Sequence, residues 1–344
     1  MKIFKCPNCF SAVFFENTHC VNCKSTLGYD IVSDSFIIPN DSSSNTKNSF
    51  KFCFNYQHGL CNWLIDENNE SRFCKACELN RKVPSKGDVE GFKKWQKLEI
   101  AKHRLIYQLK KLNLPIISKL KNKKGIAFDF LSADNKEKVV TGHANGVITI
   151  LLPEADSVYR EQLRKKMEEP YRTLLGHFRH EIGHYYWMHL FNNHNVEEFR
   201  SLFGDERQNY GDALKKHYKF GAPSNWNLNF ISKYASAHPS EDWAETWAHY
   251  LHLMDTLETA NAMNISLPLS LMQNNQGKVM ECPNPYQIND FKIIFNASMM
   301  LTSAVNSLNR SMGLPDIYPF IVPKPVYEKL QFIHYVITKN IKFI

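Results

Sequence analysis

The chain has 344 residues, 43% of them hydrophobic, and a formal net charge of +8. That length allows one sizeable core plus a smaller appended unit, and that hydrophobic content excludes wholesale disorder. No run approaches the roughly 18 to 20 consecutive apolar residues of a membrane span, and the opening Met1-Lys2-Ile3-Phe4 begins no apolar leader, so the expectation is a cytoplasmic protein with no membrane partner.

Eight of the nine cysteines fall in the first 77 residues. In a chain expected to stay in a reducing compartment, such clustering points to metal rather than disulfides. Cys6, Cys9, Cys20 and Cys23 form two CxxC knuckles, the pattern of a zinc ribbon. Cys53, Cys61, Cys74 and Cys77 are less regular in spacing. A second four-thiolate site is expected there, with buried free thiols as the alternative. Both sets would be closed, structural Zn2+ sites that supply folding energy to units too small for a core of their own. Cys282 stands apart in Glu281-Cys282-Pro283 and is expected to be inert.

In chain order, residues 1–32 read as a zinc ribbon, 33–49 as a polar linker, 50–84 as the second cysteine unit and 85–344 as a larger domain. Apolar residues at helical spacing (Phe92, Trp95, Leu98, Leu105, Leu109, Leu112) predict a helix from Asp88 to about Leu112. Residues 72–124 hold sixteen Lys and Arg against four Asp and Glu, which reads as a solvated face, with an acidic partner as the alternative. Strands are expected at Ile126–Phe130 and Lys138–Leu152, the second folded into a hairpin at Asn145-Gly146. The remainder reads as helical: Asp156–Glu168, a helix starting at Pro170, and a long helix from Pro239 to about Ala260. The class is therefore α+β, a zinc-ribbon head followed by a mainly helical domain with a small sheet.

The sharpest motif is His180-Glu181-Ile182-Gly183-His184. On a helix, residues i and i+4 share a face, so two imidazoles stand one turn apart where a single catalytic Zn2+ can accept both. Glu181 sits beside that face, placed to take a proton from an attacking water and pass it to a leaving amine. The alternative is a chance match on a core helix. Trp187 and Leu190 occupy the positions where a metzincin would continue with glycine and histidine, which excludes that class. His189 and His194 point away, and His177 reads as a core histidine or a neighbour of the ligands.

The third ligand is expected from the later helix, where Glu241 and Glu245 lie four apart. Glu241 would complete a site of two histidines and one carboxylate, and Glu245 would hold a ligand imidazole in its tautomer. Asp242 is the reserve ligand, and a solvated acidic pair in a first helical turn is the alternative. Tyr234, seven residues before Glu241 and outside the helix, is a candidate donor to the oxyanion of peptide hydrolysis, or else a tyrosine packed in a loop.

Tyr234, Glu241 and Glu245 after the zinc motif are similar to the gluzincin pattern of anthrax lethal factor. More broadly, the chain resembles the bacterial zinc-binding metallopeptidase family with an N-terminal zinc ribbon. The likeness runs through the eight cysteines with Cys61-Asn62-Trp63-Leu64, through residues 141–150 (TGHANGVITI), and through 169–187, 238–260 and 306–320. It implies a zincin-like fold in which an edge strand binds substrate backbone, with Val147, Ile148 and Thr149 as the candidates. Zinc-dependent endopeptidase activity on a protein or peptide is the leading expectation. A protease recruited to nucleic acid, by analogy with SprT-like repair proteases, ranks second because aromatic residues are not interleaved with the lysines. A non-catalytic zinc scaffold ranks third, since it would have no need of Glu181.

Overall fold

Two turns of the same shape begin the chain. In each, the residue after the second cysteine is left-handed, Phe10 at φ 59° and Lys24 at φ 63°. Its amide returns to the carbonyl of the first cysteine, Phe10 to Cys6 and Lys24 to Cys20, both at 3.0 Å. A non-glycine residue pays about 1–2 kcal/mol for that conformation, tolerable where the turn gathers sulfur ligands.

The computed structural model describes residues 1–39, 49–132, 141–166, 173–191, 196–268, 279–318 and 321–339. It forms two compact units, one of residues 1–110 and 116–155, the other of 111–115 and 156–344.

In the first unit, β1 (Phe4–Lys5) pairs with β2 (Ala12–Val13), β3 (Gly28–Asp30) with β4 (Ser35–Ile37), and β5 (Phe50–Phe52) with β6 (Leu64–Asp66), all antiparallel. Part of the expected linker is thus strand β4, and residues 40–48 lie outside the described residues. The two cysteine sets share one aromatic core. Tyr29 bridges to Trp63, and Phe15 lies 4.9 Å from Tyr29 and 5.3 Å from Tyr107 between ring centroids. Tyr107 belongs to α1 (Val89–Lys111), the helix expected from residue spacing. Almost all of α1 and the sheet that follows pack in one compact unit with the cysteines.

That sheet has the order β7-β8-β10-β9, with β7 (Asn80–Lys82), β8 (Ala127–Leu131), β9 (Gly142–Ala144) and β10 (Val147–Leu151). Asn145 (φ 48°) and Gly146 (φ 78°) make the tight turn between β9 and β10, as their residue types require. β10 is parallel to β8 on one side and antiparallel to β9 on the other. Val147, Ile148 and Thr149 thus have both backbone edges paired, which corrects the expectation that they form a free edge for substrate. The basic stretch also contains an exception: Lys102 is fully buried, with Glu99 Oε1 at 2.8 Å and Asn80 Oδ1 as partners.

The second unit is helical: α2 (Ser157–Lys166), α3 (Leu174–Leu190), α4 (Val196–Phe203), α5 (Tyr210–Phe220), α6 (Pro239–Ala262), α7 (Phe291–Ser311) and α8 (Lys324–Thr338), with a ribbon of β11 (Ser266–Pro268) and β12 (Val279–Glu281). The start expected at Pro170 lies outside the described residues; α3 is capped by Thr173, whose hydroxyl accepts from the Gly176 amide. α6 opens with His238 as its cap and Pro239 in its first turn. α3 and α6 pack closely because residue 183 is glycine: a Cβ there would sit 3.1 Å from Ala244 Cα and 3.2 Å from Trp247 Cβ. The Trp243 indole N–H, fully buried, donates to the Gly183 carbonyl at 2.9 Å and ties the two helices together. Beneath α6, Lys329 of α8 forms a buried ion pair with Asp242 at 2.6 Å. That contact places the reserve ligand in the core rather than with the histidines. Among the described residues, no helix is long and apolar enough to cross a membrane.

Candidate metal centre

The α3–α6 contact decides the geometry of the site. His180 and His184 of α3 and Glu241 of α6 bring one donor atom each to within 4.8 Å of one another. The two Nε2 atoms are 3.2 Å apart, and Glu241 Oε2 lies 3.1 Å from His180 Nε2. Two ligands at 2.0–2.1 Å from one tetrahedral ion would be about 3.3 Å apart, so the spacing fits zinc.

Proton placement gives a second test. His180 Nδ1 is 2.6 Å from Glu245 Oε1. A carboxylate there accepts a hydrogen bond, so the proton sits on Nδ1 and Nε2 presents a lone pair. That lone pair faces Glu241 Oε2, a buried oxygen with no hydrogen-bond donor. Two acceptors held face to face at 3.1 Å in a buried place call for a cation between them. Against the opposing effect of burial, Glu241 and Glu245 drive the His180 pKa well above its ordinary value, the mark of strong negative charge around that ring.

Glu181 is 5% exposed. Its Oε1 is 3.3 Å from His177 Nε2, while Oε2 has no hydrogen-bond partner. His177 thus touches the candidate base, and its ring also lies edge-on to that of His180 at 6.5 Å. Burial opposes charge on Glu181, yet His177, His180 and His184 hold its pKa below the usual carboxylate range. Tyr234 occupies a single 3-10 turn, Tyr234–Ala237, with its ring 6.0 Å from the His180 ring. Burial, then the charge of Glu241, pushes its phenol far above the usual value, so it remains a proton donor.

Three neighbours of the site were not evident from the sequence. Tyr210, at the start of α5, donates its hydroxyl to Glu241 Oε1 at 2.7 Å, leaving Oε2 as the bare oxygen. Ser232 donates to Glu245 Oε2 at 2.7 Å and accepts from the Ala235 amide at 3.0 Å, tying the Tyr234 turn to the carboxylate that orients His180. His217 of α5 packs edge-on against Tyr234 at 6.0 Å. Tyr210 and His217 carry no local motif, whereas Ser232 is two residues from Tyr234, within reach of any search around that turn.

In the first unit each cysteine set also gathers its four sulfurs within 4.8 Å. Cys6–Cys23, Cys9–Cys20 and Cys61–Cys74 are each 3.6 Å apart. Four sulfurs at about 2.3 Å from one ion would be about 3.8 Å apart, so both sets fit zinc. His103 Nε2 lies 3.7 Å from Cys77 Sγ and packs on Trp63.

A family model described as "zinc-ribbon domain" matches residues 3–88, and one described as "Putative zinc-binding metallo-peptidase" matches residues 91–336. Uncharacterized proteins of Mycobacterium tuberculosis and Mycobacterium bovis are 41% identical to the chain over 342 residues, spanning 98% of it and 96% of each relative. No solved structure matches. With the second model covering most of the helical unit and the whole α3–α6 site, the chain belongs to the zinc-binding metallopeptidase family and carries an N-terminal zinc ribbon.

Proposed function

We propose that the chain is a gluzincin-type endopeptidase acting on a protein or peptide, with one catalytic Zn2+ on His180, His184 and Glu241 and two structural Zn2+ on the cysteine sets. The observation that carries this reading is the pair of bare, buried carboxylate oxygens, Glu241 Oε2 against His180 Nε2 and Glu181 Oε2 one residue along α3. One oxygen suits a ligand and the other a base.

When bound, zinc supplies Lewis acidity that polarises the scissile carbonyl and makes water acidic enough to attack at neutral pH. The chain's own groups do the rest. Glu181 Oε2 takes the proton from the attacking water and delivers it to the leaving nitrogen. Tyr234 donates its hydroxyl proton as a hydrogen bond to the developing oxyanion. Glu245, steadied by Ser232, fixes the His180 imidazole with its proton on Nδ1. None of the nine cysteines is in a disulfide, which suits the reducing cytoplasm where we place the protein.

The test is Glu181→Gln in the zinc-loaded protein, assayed on a randomised peptide library with zinc counted in parallel. Cleavage is expected to fall about 10²–10⁴-fold with the metal content unchanged. Equal cleavage by both proteins would remove Glu181 from the chemistry. No cleavage by the parent protein, with zinc present, would favour a scaffold.

A further inference from the structure

Beside the metal centre, α5 bounds a cavity of about 590 Å3. The helix has no buried residue, although it is eleven residues long and leans on the turn that carries Tyr234. Asn209, Asp212, Ala213, Lys216, His217 and Phe220 line the cavity. They recur at the 3-4 spacing of one helical face. The lined face of α5 therefore looks onto open space, while Tyr210 and His217 meet the surroundings of the metal centre. That open face leaves room for another segment beside the metal centre.

One lining side chain of α5, His217, adjoins the chemistry, and Tyr210, on the same helix but off the lining, also reaches it. Tyr210 reaches Glu241 at 2.7 Å, and His217 packs on one side of Tyr234, whose ring also lies 6.0 Å from His180. Ser236 and Ala237, in the Tyr234 turn, form part of the opposite wall. A peptide whose scissile bond sat at the metal centre would run its flanking residues into this space. The charge there is uneven. Asp212 is paired with Lys215 at 3.6 Å, whereas Lys216 on the lining has no ion-pair partner among the described residues. Phe220, 71% exposed, adds an aromatic wall, and Ala222 and Pro223 extend it.

We infer that this cavity is the specificity subsite of the peptidase, and that it takes an acidic side chain of an extended substrate peptide, with the carboxylate on Lys216 and the methylene stem on Phe220. The inference rests on the peptidase reading but concerns recognition, so binding tests it apart from turnover. The zinc-loaded Glu181→Gln protein would be incubated with a randomised decapeptide library, and the retained peptides sequenced by mass spectrometry. Enrichment of Glu and Asp at one position is expected, with affinity for an enriched peptide falling about tenfold when Lys216→Glu is added. Retained peptides without acidic enrichment, the same selection by both proteins, or no retention at all would each overturn the subsite. Cleavage by the parent protein of peptides lacking acidic enrichment would sink the subsite and spare the peptidase. Acidic peptides retained but never cut would do the reverse.

Discussion

The cysteine sites and the α3–α6 site solve opposite problems with metal. Each cysteine set offers four sulfur donors, with close pairs 3.6 Å apart, and those of the second set are all buried. Four thiolates fill a tetrahedron, so nothing remains for a substrate and the gain is folding energy. The α3–α6 site offers three donors from two helices, with a bare carboxylate beside them and a cavity along α5. An open position is unfavourable to leave in a protein core, and it is maintained here by apolar packing that would hold without metal: Trp243 and Trp247 are fully buried between the helices. On the proposed reading, metal builds the one region and packing builds the other for metal.

The largest effect expected from that contrast is on stability. Removing zinc with a strong chelator should unfold the cysteine region, where metal contributes on the order of 10 kcal/mol, and leave α3 and α6 standing. Hydrogen exchange reads both at once. Loss of amide protection around Cys53–Cys77 with protection kept in Tyr185, Trp243 and Trp247 is the expected pattern, and equal loss in α6 would erase the distinction. Next in size is Tyr234→Phe, which deletes one donor to the oxyanion. A drop of about 10²–10³ in kcat is expected with KM and zinc content unchanged. An unchanged kcat would return Tyr234 to the role of a packing residue.

How far each region could be read from sequence follows the same division. The CxxC pairs are local, because a knuckle is closed by its own backbone, Phe10 to Cys6 and Lys24 to Cys20. The HExxH face was legible because helical geometry alone places His180 and His184 together. Glu241 and Glu245 were reachable because they share one face of a second strongly apolar helix. Two things escaped. Val147–Leu151 has the composition of any strand, and only the parallel pairing with β8, opposite its expected hairpin partner β9, shows that it is interior. Lys102 reads as one more solvated lysine with an i−3 partner in Glu99, since nothing nearby in sequence announces that Asn80 will close over the pair. Tyr210 and Ser232 were missed because single polar residues in turns and helix starts gain meaning only from what lies across the fold.

Smaller effects sharpen how the open site is held. Glu245→Ala removes the acceptor at 2.6 Å from His180 Nδ1 and frees the imidazole to rotate or change tautomer. Zinc affinity at the α3–α6 site should fall about 10–100-fold, measured by chelator competition, while the metal held by the cysteines stays put. Release from the cysteine sets at the same chelator concentration would mean that the regions are not independent in metal binding.

The smallest effect is expected from Ser232→Ala. Its hydroxyl makes two hydrogen bonds, to Glu245 Oε2 at 2.7 Å and from the Ala235 amide at 3.0 Å. At about 1 kcal/mol for a hydrogen bond of this kind, the loss on the Glu245 side is roughly fivefold in zinc affinity. The bond to Ala235 holds the turn that begins at Tyr234, so its loss should displace the phenol as well. The two consequences separate in kinetics. With zinc saturating, the affinity defect disappears and only the displaced phenol remains, seen as a lower kcat at constant KM. If saturating zinc restores kcat in full, Ser232 serves Glu245 alone and the Tyr234 turn is held by its own backbone.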